Sequence, residues 1–394
     1  MTRQSRKVSK RVIASLLTGV FIIQQTMTLS VVASEISGIT SGGHGTFNID
    51  PSKVVGDIGF RQYAQFILDK GDVANLNYNN IETFVNMVDS TININGVVNS
   101  MRNSNFYNGK AVFISPNGMV VGASGVLNVG SLGAYTPSQA SYNKLTATPN
   151  ESNLNAIVNG VNTGEITING KVITAGDVDL KGGQVTVGNT GGIMAGVNES
   201  KMTKFDSETQ ANALFDQLVN TDNLNTGNAF ASNRDGQIVI RSSTGTDIAG
   251  KVKNFATGDN SQIKIMNTND ATGGINVSGE IANAKGTLQL NNNEGDLTVN
   301  GTLKNNGTTR IYNTIGQSEG NNSKLTIGGT VDTQGDLEIN NTGANGMLIS
   351  GNIDHDGNAS VQNGYLDNSQ NQTAAMDITG TFNTTGDAKF VNTA

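Results

Sequence analysis

Two pairs of aspartates at i, i+2 spacing, Asp177 with Asp179 and Asp354 with Asp356, are the pattern in this chain that comes nearest to a catalytic arrangement. On a strand that spacing puts both carboxylates on one face. Two such groups can divide acid and base work across a glycosidic bond. Both pairs sit in glycine-rich contexts, where aspartate is favoured as a solvated turn residue, and that is the role expected of them. The rest of the catalytic alphabet is thin. Cysteine is absent and there are two histidines, His44 among glycines and His355 far along the chain, so neither the usual triads nor zinc spacing can be assembled. No glycine-rich phosphate loop leads into a helix, and the tandem nonapeptide of calcium-binding β-rolls is missing. The sequence therefore predicts no enzyme, no cofactor and no metal.

The elements that would carry these residues are strands. Glycine contributes 49 of 394 residues, asparagine is abundant, charged residues make up 14%, and proline only 4 positions, a composition suited to many short strands and turns. Sustained Val/Ile/Leu runs argue against disorder. A net charge of −7, with no dense Lys/Arg run beyond the N-terminus, gives no field for gathering phosphates, so nucleic acid is not an expected partner.

From residue 236 onward a repeat is legible. Segments such as Gly274-Ile275-Asn276-Val277-Ser278-Gly279 and Leu325-Thr326-Ile327-Gly328-Gly329 alternate apolar with small polar residues and then turn on glycine. Aligning Gly250, Gly279, Gly301, Gly329, Gly351 and Gly380 gives intervals of 29, 22, 28, 22 and 29. The short interval is one coil of a solenoid, and the longer ones add loop residues at one or two corners. Glycine is needed where a Cβ would clash at the corner. Asparagines at 291–293, 305–306, 321–322 and 340–341 cluster between strands, where they can adopt left-handed conformations or ladder between coils. About 14 coils at ~4.8 Å would form a rod on the order of 65 Å. The fold class expected is all-β: a right-handed parallel β-helix (solenoid) with an N-terminal cap and a short extra-helical α-helix insertion.

In chain order, residues 1–34 read as a signal peptide. Arg3, Arg6, Lys7, Lys10 and Arg11 precede an apolar run over 12–23 that is too short for a membrane span, and small residues offer cleavage after Ala33 or Ser34. Residues 35–76 are the expected cap, with Phe60, Tyr63 and Phe66 at spacing three as a short helix or a capping cluster. Residues 77–197 follow as β-helix, with a loop excursion near 135–159 around Pro137 and Pro149. Residues 198–235 form a helical insertion: Ala211, Leu214, Phe215, Leu218 and Val219 make a stripe behind Ser207 and Glu208, the one strong helix expected, packing on its own body. Residues 236–394 are a repetitive shaft that ends inside a strand, as in a fragment of a longer protein.

The corner Ser115-Pro116-Asn117-Gly118 joins two apolar runs inside GKAVFISPNGMVVGASGVLNVGSL, residues 109–132. Proline presets one turn dihedral and Asn-Gly tolerates positive φ, so the chain turns there. This stretch resembles the secretion signature of filamentous haemagglutinins exported by the two-partner pathway, in particular leukotoxin-like filamentous adhesins of anaerobic bacteria. Pro116, Asn117 and Gly118 match the family's Asn-Pro-Asn-Gly, and Ser115 replaces its first asparagine. The resemblance covers about 38–131 and continues as repeat character. Asn77-Tyr78-Asn79-Asn80 stands where the family has a second asparagine turn, without that turn's proline and leucine; Asn77, Asn79 and Asn80 are its candidates.

The resemblance implies Sec-dependent passage to the periplasm, recognition by periplasmic domains of a cognate outer-membrane transporter, and folding of a secreted or cell-surface β-helix outside the cell. A host cell surface would be met through a region downstream of this chain. Two other readings stay open at this point: a secreted β-helix polysaccharide-active enzyme, and a purely structural surface filament.

Overall fold

The computed structural model describes residues 34–43, 45–224, 227–267, 273–313, 322–364 and 374–393. Residues 34–394 form one compact unit. It is a parallel β-helix whose wall has three faces. First-face strands stack in parallel register from Ile58–Tyr63 through Thr83–Val88, Lys110–Ile114 and Ser131–Tyr135 to Ala388–Asn392. The second face runs from Phe66–Leu68 to Met376–Ile378, and the third from Thr46–Ile49 to Thr381–Thr384. First-face strands begin at Ile58, Thr83, Lys110, Ser131, Val178, Gln237, Gln262, Thr287, Thr308, Asp336, Asn358 and Ala388, which delimits eleven complete coils. Fewer coils form than the expected ~14 because 136–165 and 198–235 leave the wall.

Inside the wall, alternating apolar side chains fill one continuous lumen, from Ile36, Phe47 and Phe66 through Ile166, Ile240 and Leu288 to Val361. Glycines make the corner between second and third faces possible. A Cβ on Gly279, Gly301, Gly329, Gly351 or Gly380 would run into the carbonyl oxygen of the corresponding glycine one coil earlier. None of these five has positive φ, so close stacking and not handedness demands glycine there. In the 29- and 28-residue intervals the added length falls in sequence between a first-face strand and the next second-face strand, after Asn267, Asn313 and Asn363.

Asparagines do ladder, all of them buried except the exposed last rung, Asn392. Asn267, Asn292, Asn313, Asn341, Asn363 and Asn392 form a chain of side-chain amide bonds of 2.7–2.9 Å at the end of the first-face strands. Asn254, Asn283 and Asn305 form another, with 3.0 Å links. None of these is left-handed; the positive-φ non-glycine residues among those described are Asn79, Asn103 and Ser104. His355 continues the second column, its Nδ1 3.0 Å from Thr333 Oγ1 and its Nε2 3.0 Å from Asn358 O, so the ring is a buried tie between coils. His44 lies outside the described residues.

The first coil is covered by antiparallel strands. Glu35–Ile36 pairs onto Phe66–Leu68, and Lys53–Val55 onto Ile58–Tyr63. Phe60, Tyr63 and Phe66 belong to strands and not to a helix: Tyr63 and Phe66 point into the lumen, 5.4 Å apart edge to face, and Phe60 packs outside it.

Two excursions add outer layers. The segment expected to loop out near 135–159 holds two helices, Gln139–Ala147 and Glu151–Asn159. Their N-caps are Ser138 and Asn150, whose side chains accept from Ser141 N and Asn153 N. Pro137 and Pro149 stand just ahead of these caps, where proline marks a helix start and does not break one. Tyr142, Leu145, Leu154 and Ile157 pack on Phe60, Val85, Met87, Val112 and Ile114, the outward residues of the first face. The 198–235 insertion carries the third helix, Glu208–Val219, which lies on the third face with Phe205, Ala211, Phe215 and Leu218 against Val73, Val97, Val126, Ile173, Met194, Phe255 and Ala282. Ser207 makes no side-chain cap; Gln210 Oε1 accepts from Asp206 N at 2.8 Å instead.

Candidate functional site

Ser115-Pro116-Asn117-Gly118 is the corner between first and second faces of an early coil, between the strands Lys110–Ile114 and Met119–Val121. Gly118 N donates to Ser115 O at 3.3 Å, closing a turn with half-buried Pro116 at its second position. Buried Ser115 does what a leading asparagine would do. Its Oγ donates to Ser90 O at 2.7 Å in the preceding coil and accepts from Asn117 N at 3.1 Å. Asn117 is exposed, yet its Nδ2 donates to Asp89 O at 2.7 Å and its carbonyl accepts from Thr91 Oγ1 at 2.9 Å. Gly118 has φ +93°, and a Cβ there would meet Glu165 O at 2.6 Å, so the position needs glycine twice over.

Asn77-Tyr78-Asn79-Asn80 occupies a different corner, between third and first faces. Asn77 and Asn79 both donate from Nδ2 to Asp50 Oδ1 at 3.2 Å, and Asn79 takes φ +40°. Asn80 is exposed. Tyr78 is buried, accepting from Ser100 Oγ at 3.2 Å and lying edge-on to Phe84 at 6.0 Å; burial pushes its hydroxyl well above the usual range. Beside it, Arg102 lies 3.5 Å from the Tyr107 ring and 3.3 Å from Glu82, while Tyr107 Oη donates to Glu82. Burial, then the Glu82 bond, push Tyr107 up to about 12, and the Tyr107 bond holds Glu82 below its ordinary value. The two motifs therefore lie at opposite ends of the first face, separated by a strand of six residues, on the order of 20 Å. They do not converge on one pocket.

Of the four aspartates, Asp177 is an exposed corner residue just ahead of a strand, as expected, whereas Asp179, Asp354 and Asp356 lie on strands. Asp179 lies on the strand Val178–Val187, where Arg241 Nη2 grips both its oxygens at 2.6 and 2.7 Å and Tyr135 Oη donates at 2.8 Å. Asp177 Oδ1 accepts from Gln237 N at 2.9 Å, and desolvation raises its pKa. Asp354 and Asp356 lie on Asn352–Asn363; Asp354 stacks on Asp332, and Asp356 accepts from Thr385 Oγ1. For those three the neighbouring glycines mark coil stacking, which is why the turn expectation failed there.

Sequence reasoning passed over Asp89. It joins the Ser115–Gly118 corner to the two-helix excursion, since its carbonyl accepts from Asn117 and its Oδ1 from Tyr142 Oη at 2.7 Å and Gln62 Nε2 at 2.9 Å. The available signal was the apolar run Phe84-Val85 and Met87-Val88 just before it, interrupted only by Asn86, which says that both faces of that strand are covered. Residues 1–33 lie outside the described set, but Ser34 is already part of the body: its Oγ accepts from Asp69 N at 2.6 Å and donates to Asp72.

Among the described residues, no group of three His, Asp or Glu side chains converges, and no helix is long and apolar enough to cross a membrane. No protein-family model matches the chain, and no curated protein matches it.

Proposed function

We propose that this chain is the export-directing head and first shaft coils of a secreted filamentous, haemagglutinin-like adhesin. It passes the inner membrane by Sec and the outer membrane through a cognate transporter whose periplasmic domains recognise its N-terminal coils. The observation that carries the reading is the exposed Asn117 corner, held on a parallel β-helix coil by Ser115 and Asp89. The secretion-signature resemblance of 109–132 and the basic, short-cored leader add to it. An acid–base pair for cleaving polysaccharide gains nothing from the geometry, because Asp179 is already saturated by Arg241 and Tyr135.

The test is export of Asn117→Ala and Gly118→Ala variants, assayed separately in periplasm and medium, with thermal unfolding of each purified variant. Asn117→Ala loses one hydrogen bond, about 1 kcal/mol. It is expected to fold and yet accumulate in the periplasm. Undiminished export of a folded Asn117→Ala chain would remove this corner from the recognition role.

A further inference from the structure

Lys181 and Arg241 are direct partners in adjacent parallel strands of the first face. Like charges stacked this way repel, and the one carboxylate beside them, Asp179, is committed to Arg241 and Tyr135. Both cations line a cleft of about 260 Å³ at the corner where the second helix of the excursion returns to the wall. No acidic side chain lines it. Lys181 Nζ finds only a backbone carbonyl, Val158 O at 3.1 Å. Its pKa is lowered by desolvation first and by Arg241 second.

Two further polar atoms here lack partners. Arg241 Nε is sealed from solvent and unpaired, and so is Oδ1 of Asn162, a residue only 2% exposed. The Asn162 amide is oriented by its own donors, which bond Ile157 O at 3.2 Å and Gly160 O at 3.1 Å, so the unpaired oxygen is an acceptor awaiting a donor. Exposed Val161 offers an apolar rim. A surplus positive charge needs an anion; a buried amide oxygen needs a hydroxyl or N–H, which a bare carboxylate or fully ionised phosphate cannot supply. The volume lies just below the ~300–1,000 Å³ of drug-sized ligand pockets, which suits a single ring.

We propose that this cleft binds a sugar acid, its carboxylate on Lys181 and Arg241 and a ligand hydroxyl or amide N–H on Asn162. This site is independent of the export reading and lies on a different coil from both motif corners.

The experiment is a ligand-observed NMR titration of the folded chain with N-acetylneuraminic acid and with glucuronic acid, against glucose, acetate and inorganic phosphate. Saturable binding of one sugar acid is expected, and which one binds identifies the source. Lys181→Gln should weaken it about tenfold or more, the loss of one charge-assisted contact, while Lys264→Gln, on the same face but outside the cleft lining, leaves it unchanged. Because Lys181→Gln also removes the repulsion with Arg241, that variant is expected to be at least as stable as the parent. No saturable binding by either acid, or binding indifferent to Lys181→Gln, overturns the site. Acetate or phosphate binding as tightly as the sugar acids overturns the assignment of ligand class.

Discussion

Gly301 is held against the carbonyl of Gly279 so closely that no side chain fits between them. Gly301→Ala must push two coils apart at their tightest point, and a destabilisation of about 1–3 kcal/mol is expected. Hydrogen exchange should localise the loss to 279–329, because each coil contacts only its neighbours. Asn305→Ala removes a link from the amide column and leaves Asn283 Nδ2 with its bond to Lys285 O but without the one to the next coil, about 1 kcal/mol by the same readout. Signal cleavage is sharpened by Ser34, whose hydroxyl is bound by Asp69 and Asp72. On the proposed export route, cleavage between Ala33 and Ser34 is expected, and the N-terminal residue of the mature chain, read by mass spectrometry, checks it. Glu82 sets a pH dependence. Its folded pKa is depressed by the Tyr107 and Arg102 contacts, so its contribution is present above about 4.5 and is lost as pH falls through the lower folded value. The turn leading to Asn105–Phe106 is expected to loosen in acid before its neighbours, followed by NMR, and Tyr107→Phe should shift that loosening to higher pH.

At the scale of elements, the insertion helix Glu208–Val219 is tied at both ends. Gly71 N donates to Glu208 Oε1 at 2.5 Å, and fully buried Lys253 donates to Val219 O at 2.8 Å and Thr221 O at 3.0 Å, 3.3 Å from Glu280. Acid at the start and cation at the end both suit the helix dipole. Twelve residues span about 18 Å, against about 24 Å for five coil steps; the Glu and Lys side chains make up the difference. Lys253→Ala removes the buried cation from Val219 O and Thr221 O, with Lys251 Nζ, 3.5 Å from Val219 O and 3.3 Å from Glu280, left as the remaining charge. A loss of about 1–3 kcal/mol and faster proteolysis within 198–235 are expected. The helix itself was legible from its apolar stripe, and the lumen from strand alternation and glycine spacing. The helices at 139–159 were not, because Asn, Ser and Thr depress helix propensity and the stripe is only Tyr142, Leu145, Leu154 and Ile157. Their stability comes from Phe60, Val85 and Met87, far away in sequence. The motif corners were readable as turns; that Ser115 and Asp89 would organise one of them depends on which residue lies one coil below, and that register follows from insertions invisible to local pattern.

Across the whole molecule the two ends differ. From Val73 to Ala282 seven third-face strands share one outer cover, whereas among the described residues beyond 284 no such apolar cover lies on the third face. A chain emerging in order cannot fasten 198–235 until Lys253, Phe255 and Glu280 have been added. A version ending at 235 is therefore expected to be cut by protease within its insertion, and one ending at 313 to resist. Those seven strands also give the rod a mechanical grading. Pulled from its C-terminal end, the uncovered part peels one coil at a time, each event loading a single set of strand bonds in series. At the covered part the insertion links coils in parallel, so force must break many contacts together. The solenoid would be compliant along its later coils and stiff along its earlier ones, yielding under load from one end while the other keeps its shape.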